Sequence, residues 1–279
     1  MKRILTGSKV LITGASSGIG ASLVREFVKE GVDLAITARR TNRLSELITK
    51  IREENSDYSL SSGARKIIFV AGDITEYSVR KRVIDAAAEQ LGGLDILINN
   101  AGVGATSLIE ATSTDTLRRI FEVNFFSLFE LTQLAIPLLK QSATSESNKN
   151  LKIYPMVVNL SSIVGLRGVP HYGVYGAAKF AVNGLSESMR AEFKRDGIDV
   201  LVVCPGTTSS EFFDVLYQSS SAPTMPIHTA ATPEYVAKKI INAIKKGKHK
   251  IIPYQQAVIL DYLNRFFPQF TDWLMTKYV

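Results

Sequence analysis

One cysteine, Cys204, stands in the 279 residues. A lone thiol cannot close an intramolecular disulfide or build a multi-cysteine metal or iron–sulfur site. Long apolar runs are also missing. None approaches the ~18 residues of a membrane span, and the longest are the length of a strand. Met1 to Leu5 is too short for the apolar region of a secretory leader, and a strand-like run begins at Lys9. A soluble cytoplasmic protein is therefore expected. Acid is absent from one stretch: between Tyr235 and Leu260 six lysines (Lys238, Lys239, Lys245, Lys246, Lys248, Lys250) stand with no Asp or Glu. Nearly all of the formal net charge of +7 is concentrated there. The remaining chain is almost neutral, which argues against a nucleic-acid binder.

What is present is core material. Hydrophobic residues make up 46% and charged residues 21%, enough for one large core or two small ones and too apolar for a disordered chain. There is no internal repeat. Strand-like runs rich in Val, Ile and Leu fall at Lys9–Thr13, Asp33–Thr37, Lys66–Ala71, Leu94–Asn99, Ile153–Ser161, Ile198–Cys204 and, more weakly, Lys248–Ile252. Continuous apolar strands are expected where both faces of a parallel sheet are covered. Helical patterns near 18–30, 42–54, 76–91, 114–140, 173–195 and 233–246 alternate with them. The alternation predicts an α/β fold with a doubly wound parallel sheet of about seven strands and helices on both faces. Polar loops are expected at Asn55–Gly63 and Ser142–Asn150. The long connection Ser209–Thr232 has the length of a substrate-covering loop. After about residue 252 the chain returns to amphipathic helix, interrupted at Pro268, so 1–252 reads as one domain and 253–279 as an extension packed on it.

Several short motifs carry chemistry. The first strand runs into Thr13-Gly14-Ala15-Ser16-Ser17-Gly18-Ile19-Gly20 and then a helix. Such a turn lets a pyrophosphate approach the backbone at a helix N-terminus, although a plain tight turn would read the same. At the end of the second strand, where an NAD site has a carboxylate, stand Ala38, Arg39 and Arg40, with Arg43 beyond. A guanidinium there would hold a 2′-phosphate and favours NADP(H). The plainer reading is a decorated helix start.

Tyr175 and Lys179 are four apart in a helical segment and so share a face. A phenol titrates near 10, and acting near neutrality needs a drop of roughly 3 units, about 4 kcal/mol. A cation at ~5 Å and an effective dielectric of ~20 supplies about 3 kcal/mol. A Tyr-x-x-x-Lys also occurs by chance. Ser161 and Ser162 end the fifth strand, where a hydroxyl could steady a substrate oxygen or merely cap a turn. Asn99, Asn100, Ala101 and Gly102 end the fourth strand, and Asn124 lies among phenylalanines in a helix.

The ordered set TGASSGIG, NNAG, FEVNFF, NLSS, YGAAK and CPG resembles the classical short-chain dehydrogenase/reductase family, over roughly residues 8–250. The resemblance implies a single-domain Rossmann-like fold. It also implies an NADP(H)-dependent oxidoreductase acting on a carbonyl or secondary alcohol, with catalytic Asn124, Ser162, Tyr175 and Lys179. Tyr175 would be the acid–base residue, Lys179 would lower its pKa, Ser162 would hold the substrate oxygen, and Asn124 would hold a water leading from Lys179 to solvent. Gly14, Ser16, Ser17, Gly18, Ile19 and Gly20 would cradle the cofactor phosphates. Asp73 and Ile74 would flank the adenine, with Asn100, Ala101 and Gly102 packed beside it, and Pro205, Gly206 and Thr207 would approach the nicotinamide. Any hydroxyl of Thr207–Ser210 could touch its carboxamide.

Candidate substrate residues are Ser162, Leu166, His171, Tyr175 and Phe212, with Gly104, Val164, Tyr172, Phe213 and Leu216 nearby. They suggest a fairly apolar substrate. The rival activities are reduction of a carrier-bound 3-oxoacyl thioester and, in a different class, an inactive NADP-binding sensor or scaffold. The resemblance further implies a homodimer or homotetramer joined through 114–140 and 173–195. The tail at Ile259–Leu274 reads first as a cover for the pocket or a subunit contact, and second as a weak membrane-surface helix.

Overall fold

The computed structural model describes residues 3–58, 64–209, 211–213, 217–218 and 230–278. In chain order the regular elements begin with β1 (Lys9–Thr13), α1 (Gly18–Lys29), β2 (Asp33–Ala38), α2 (Thr41–Glu54), β3 (Ile67–Ala71) and α3 (Tyr77–Ala86). They continue with β4 (Ile96–Asn99), β5 (Ala105–Thr106), α4 (Thr114–Phe121), α5 (Ser127–Thr144), α6 (Glu146–Leu151) and β6 (Met156–Leu160). The last are α7 (Gly173–Phe193), β7 (Asp199–Val203), β8 (Tyr217–Gln218), α8 (Pro233–Lys245), β9 (Lys250–Ile251), α9 (Gln255–Phe266) and α10 (Pro268–Met275).

Seven strands form one sheet in the order β3-β2-β1-β4-β6-β7-β9, every neighbouring pair parallel. Alternate residues of each strand face opposite sides, and two cores follow from that. Val10, Ile12, Leu34, Ile36, Ile98 and Val158 pack under α1, α2 and α8, while Leu11, Ala35, Leu97, Val157 and Val200 pack under α3, α5 and α7. The sheet is apolar on both faces because each is roofed by helix. Strand order reverses between β1 and β4, which opens a crevice at their C-terminal ends.

The seven expected main-sheet strands are all present, the weakest reduced to the two residues of β9. The polar stretch 142–150 is not a loop: α5 runs to Thr144, and α6 covers 146–151. Ser145 caps α6 by accepting from the Asn148 amide, and Asn148 Nδ2 donates to Asp95 Oδ1 at 2.9 Å. Capping and one side-chain anchor hold a helix whose composition lacks an apolar stripe. Two helices expected to be continuous contain π turns, at 87–91 and 122–126. A small parallel pair, β5 with β8, had no counterpart in the sequence reading, since two residues carry no period. The expected loops at 55–63 and 209–232 lie partly outside the described residues. Among those residues, no helix is long and apolar enough to cross a membrane.

Pro268 starts α10, as its fixed φ and missing N–H favour. The tail lies against the segment after β6: Arg167 donates to Asn264 Oδ1 at 2.9 Å and pairs with Asp272, while Asn264 Nδ2 donates to Leu166 O.

Candidate active site

The crevice begins at the turn between β1 and α1. Gly14 has φ +67°, and a Cβ on Gly20 would stand 2.2 Å from Gly14 O, so side chains are excluded from this corner. The neighbouring strand end is laced to the turn. Thr13 Oγ1 accepts from the Asn100 and Ala101 amides at 3.0 and 2.9 Å, and Asn100 Nδ2 donates to Thr13 O at 2.8 Å. Ser17 is the N-cap of α1 without a side-chain capping bond. Its hydroxyl instead accepts from Arg40 at 2.6 Å. The first-turn amides of α1 are thus left for an anion, the property a pyrophosphate uses.

At the end of β2, Arg39 is exposed, lines the crevice and has no hydrogen-bond or ion-pair partner among the described residues. Arg40 is engaged, by Ser16, by Ser17 and by Glu211 at 2.6 Å. Arg43 also pairs with Glu211, at 2.7 Å. Across the crevice, burial raises the pKa of Asp73, but hydrogen bonds from Thr75 and Arg119 outweigh it and leave the carboxyl below its usual range.

The opposite end is formed by β6, α7 and the segment after β7. Lys179 and Tyr175 are both buried on α7, with the ammonium 5.7 Å from the centre of the Tyr175 ring. Lys179 Nζ donates to Leu160 O at 2.9 Å, and Ser161 Oγ donates to Lys179 O at 3.0 Å, so the last turn of β6 is tied to α7. Ser162 Oγ lies 3.5 Å from Pro205 O and 3.4 Å from the Val164 amide, and is hydrogen-bonded to Tyr175.

The sequence reading had Lys179 lowering the Tyr175 pKa. In the structure burial is the larger influence on the phenol. Burial pushes the phenol well above its usual range, with the Ser162 hydrogen bond opposing, and burial lowers Lys179 to about 8. Both shifts disfavour the charged form in a low-dielectric site. Burial also raises Cys204 to about 12, which keeps the single thiol protonated.

Asn124 lies in the π turn between α4 and α5. Its Nδ2 donates to Val103 O and Ile120 O, both at 2.9 Å, and its Oδ1 accepts from the Val103 amide at 3.3 Å. A Cβ on Gly102 would stand 2.7 Å from Asn124 Oδ1 and 3.6 Å from Lys179 Nζ, so the two side chains converge on that glycine.

One cavity of about 350 Å3 runs through all of this. It is lined by Gly14, Ser16, Ser17, Gly18, Ile19, Gly20, Arg39, Arg40, Asp73, Ile74, Asn100, Ala101 and Gly102 at one end. Ser162, Tyr175, Lys179, Pro205, Gly206, Thr207 and Phe212 line the other, and the Phe212 ring is 5.8 Å from that of Tyr175. Asn124 is buried just behind the wall. Two candidate substrate residues, Leu166 and His171, do not line it. Leu166 O faces α9, and His171, at φ +65°, accepts from the Ser107 amide beside β5. Of the run Thr207–Ser210, Thr208 Oγ1 donates to Gly206 O and Ser209 Oγ to Ala231 O, Thr207 has no side-chain bond among the described residues, and Ser210 lies outside them, as does Leu216. Arg119, Val103, Val123 and Glu211 line the cavity and were not foreseen. Their partners are distant in the chain, and no local spacing marks them.

A doubly wound parallel sheet with this crevice defines a Rossmann-like fold. Residues 8–220 match the family model described as short chain dehydrogenase, and the chain belongs to that family. An 11-beta-hydroxysteroid dehydrogenase-like protein of Arabidopsis thaliana is 30% identical over an alignment of 276 residues, with 97% of this chain and 81% of that one covered. Among solved structures, a short-chain dehydrogenase from Sphingobium yanoikuyae in complex with NADPH is 26% identical, with a TM-score of 0.75 and 95% of each chain covered. A short-chain dehydrogenase/reductase from Burkholderia phymatum in complex with NAD has a TM-score of 0.81 at 21% identity, with 96% of each chain covered. The chain is thus an oxidoreductase of the short-chain family with a nucleotide-binding crevice.

Proposed function

We propose that this protein is an NADP(H)-dependent oxidoreductase that interconverts a carbonyl and a secondary alcohol on a fairly apolar substrate. The observation that carries the reading is the continuous cavity joining Arg39, which has no partner among the described residues, and the glycine turn to Tyr175, Ser162 and Lys179. The site fits a dinucleotide: only glycine fits the close-packed turn at Gly14 and Gly20, the Ser17 side chain does not cap α1, and a guanidinium without a partner among the described residues stands where a 2′-phosphate would fall. Bound there, the cofactor supplies or accepts hydride.

The chain's residues do the rest. Ser162 orients the substrate oxygen and Tyr175 exchanges a proton with it; the hydrogen bond between the two hydroxyls supports their acting together. Lys179, held by Leu160 O, presents its ammonium to the Tyr175 side. A positive charge arriving beside this pair would pull the phenol down against its burial. Asn124 acts as a positioning residue that fixes the backbone at Val103 and Gly102 next to Lys179. Thr207 supplies the free hydroxyl on the nicotinamide side. Phe212, Val164 and Tyr172 make the substrate end apolar, in keeping with the hydroxysteroid dehydrogenase-like relative.

Residues 1–252 form the catalytic unit, and the tail packs on it through Arg167 and covers the segment beyond Ser162. The outer face of that tail exposes Ile259, Tyr262, Phe266, Phe267, Phe270 and Trp273, which favours an added contact with a membrane surface. Co-sedimentation with anionic vesicles, lost on removing 255–279, tests that contact. For self-association we assign the face of α4, α5 and α7, where Leu117, Phe126 and Phe180 are exposed.

NADPH oxidation measured against apolar ketones and 3-oxoacyl thioesters tests the activity. Turnover of the ketones supports it, preference for the thioesters selects the fatty-acid type, and no turnover with intact NADPH binding selects an inactive sensor.

A further inference from the structure

Glu211 is, among the described residues, the one acid at the cofactor end that comes from the far side of the fold. It lines the crevice with Arg39 and Arg40, and its two carboxylate oxygens divide between Arg40 at 2.6 Å and Arg43 at 2.7 Å. Arg40 continues to Ser17 of the glycine turn. The arginines hold the Glu211 carboxyl below its ordinary range, so it is charged at neutral pH. The next residue, Phe212, lies on Tyr175. One short turn therefore touches both ends of the site.

We propose that Glu211 is a cofactor-selecting residue: its carboxylate, held also by Arg43, occupies the Arg40 guanidinium beside Arg39 that a ribose 2′-phosphate would take, and so holds down the preference for phosphorylated dinucleotides that Arg39 creates. This rests on the NADP(H) reading of Arg39. A 2′-phosphate carries about −1.5 to −2 charges, and it must displace Glu211 or bind beside it. A ribose bearing a 2′-hydroxyl meets no such repulsion. The effect falls on one cofactor and not the other, which is what specificity requires. The three side chains are partly exposed, so the effect is moderate and falls with salt.

The test uses adenosine 2′,5′-bisphosphate and adenosine 5′-monophosphate, titrated calorimetrically into the full chain at low and high salt. Replacing Glu211→Gln is expected to tighten the bisphosphate about three- to tenfold and leave the monophosphate within about twofold, with the gain shrinking at high salt. Glu211→Ala serves as the second variant and should act in the same direction. An unchanged ratio of the two affinities, or weaker bisphosphate binding in both variants, overturns the proposal, because Glu211 would then be neutral or a fastener of the turn. The NADP(H) reading fails separately: wild type and Arg39→Ala would bind the two nucleotides with the same ratio, whatever Glu211 does.

Discussion

Lys179 and Tyr175 share one face of α7 and one buried pocket, with the ammonium 5.7 Å from the phenol ring centre and fastened to Leu160 O at 2.9 Å. Burial alone drives the two groups apart in pKa, the phenol upward and the ammonium down to about 8. The helix spacing supplies the proximity, and the surroundings decide the protonation.

Tyr175→Phe removes the hydroxyl that meets Ser162 and leaves the ring and the glycine turn in place. Turnover should fall about a hundred- to ten-thousand-fold, the range of a positioned acid–base group. NADPH affinity, measured by fluorescence titration, should stay within about threefold. Retained turnover would remove the phenol from the chemistry.

Arg39→Asp exchanges the unpartnered guanidinium for a charge that repels phosphate. NADPH should bind at least about tenfold more weakly while NADH changes little. Equal losses for both would place the 2′-phosphate elsewhere.

The pH dependence of stability carries the signature of Lys179. Its pKa is about 8 folded against 10.5 for the free side chain. Between those values the unfolded chain binds a proton that the folded chain lacks, so this group makes stability rise with pH across that window. Tyr175, shifted upward from 10.0, acts in the opposite sense above pH 10. Urea midpoints of the wild type and Lys179→Met between pH 8 and 10 should differ in slope, the variant having lost the rise. Parallel curves would mean that Lys179 is not buried as a strained cation.

Beneath the crevice Asn159 links the two central strands to α7. Its Oδ1 accepts from Asn99 Nδ2 at 2.9 Å and its Nδ2 donates to Ser186 Oγ at 2.9 Å, all buried. Asn159→Ala takes one bond from each partner, leaving Asn99 its bond to Thr132 and Ser186 its bond to Val182 O, and should cost about 2–4 kcal/mol in urea unfolding. Ser186→Ala, which strands one N–H, should cost about half of that. A loss under about 1 kcal/mol in the first variant would mean that the linkage adds nothing to stability.

The parallel sheet was legible because its signal is local. Continuous apolar runs such as Val10–Ile12 and Val157–Val158 announce strands roofed on both faces, and each falls where the sheet has a central strand. The glycine turn and the Tyr175–Lys179 spacing were legible for the same reason, each lying within a few residues. The helix at 146–151 was not, since its stability comes from the Ser145 cap and the distant Asp95. Leu166 and His171 do not line the cavity, since closeness in sequence to Tyr175 does not by itself bring a loop residue to the crevice.

By itself the chain settled its strands, its helices and its family motifs, since periodicity and short-range spacing are properties of neighbouring residues. Only the tertiary structure brought Glu211 to Arg40 across 171 positions of sequence, set Arg119 on Asp73 and turned Asn124 onto Val103. It also buried the Tyr175 phenol, which raises its pKa. Desolvation depends on everything packed around a group, and that sum exists only once the chain has closed on itself.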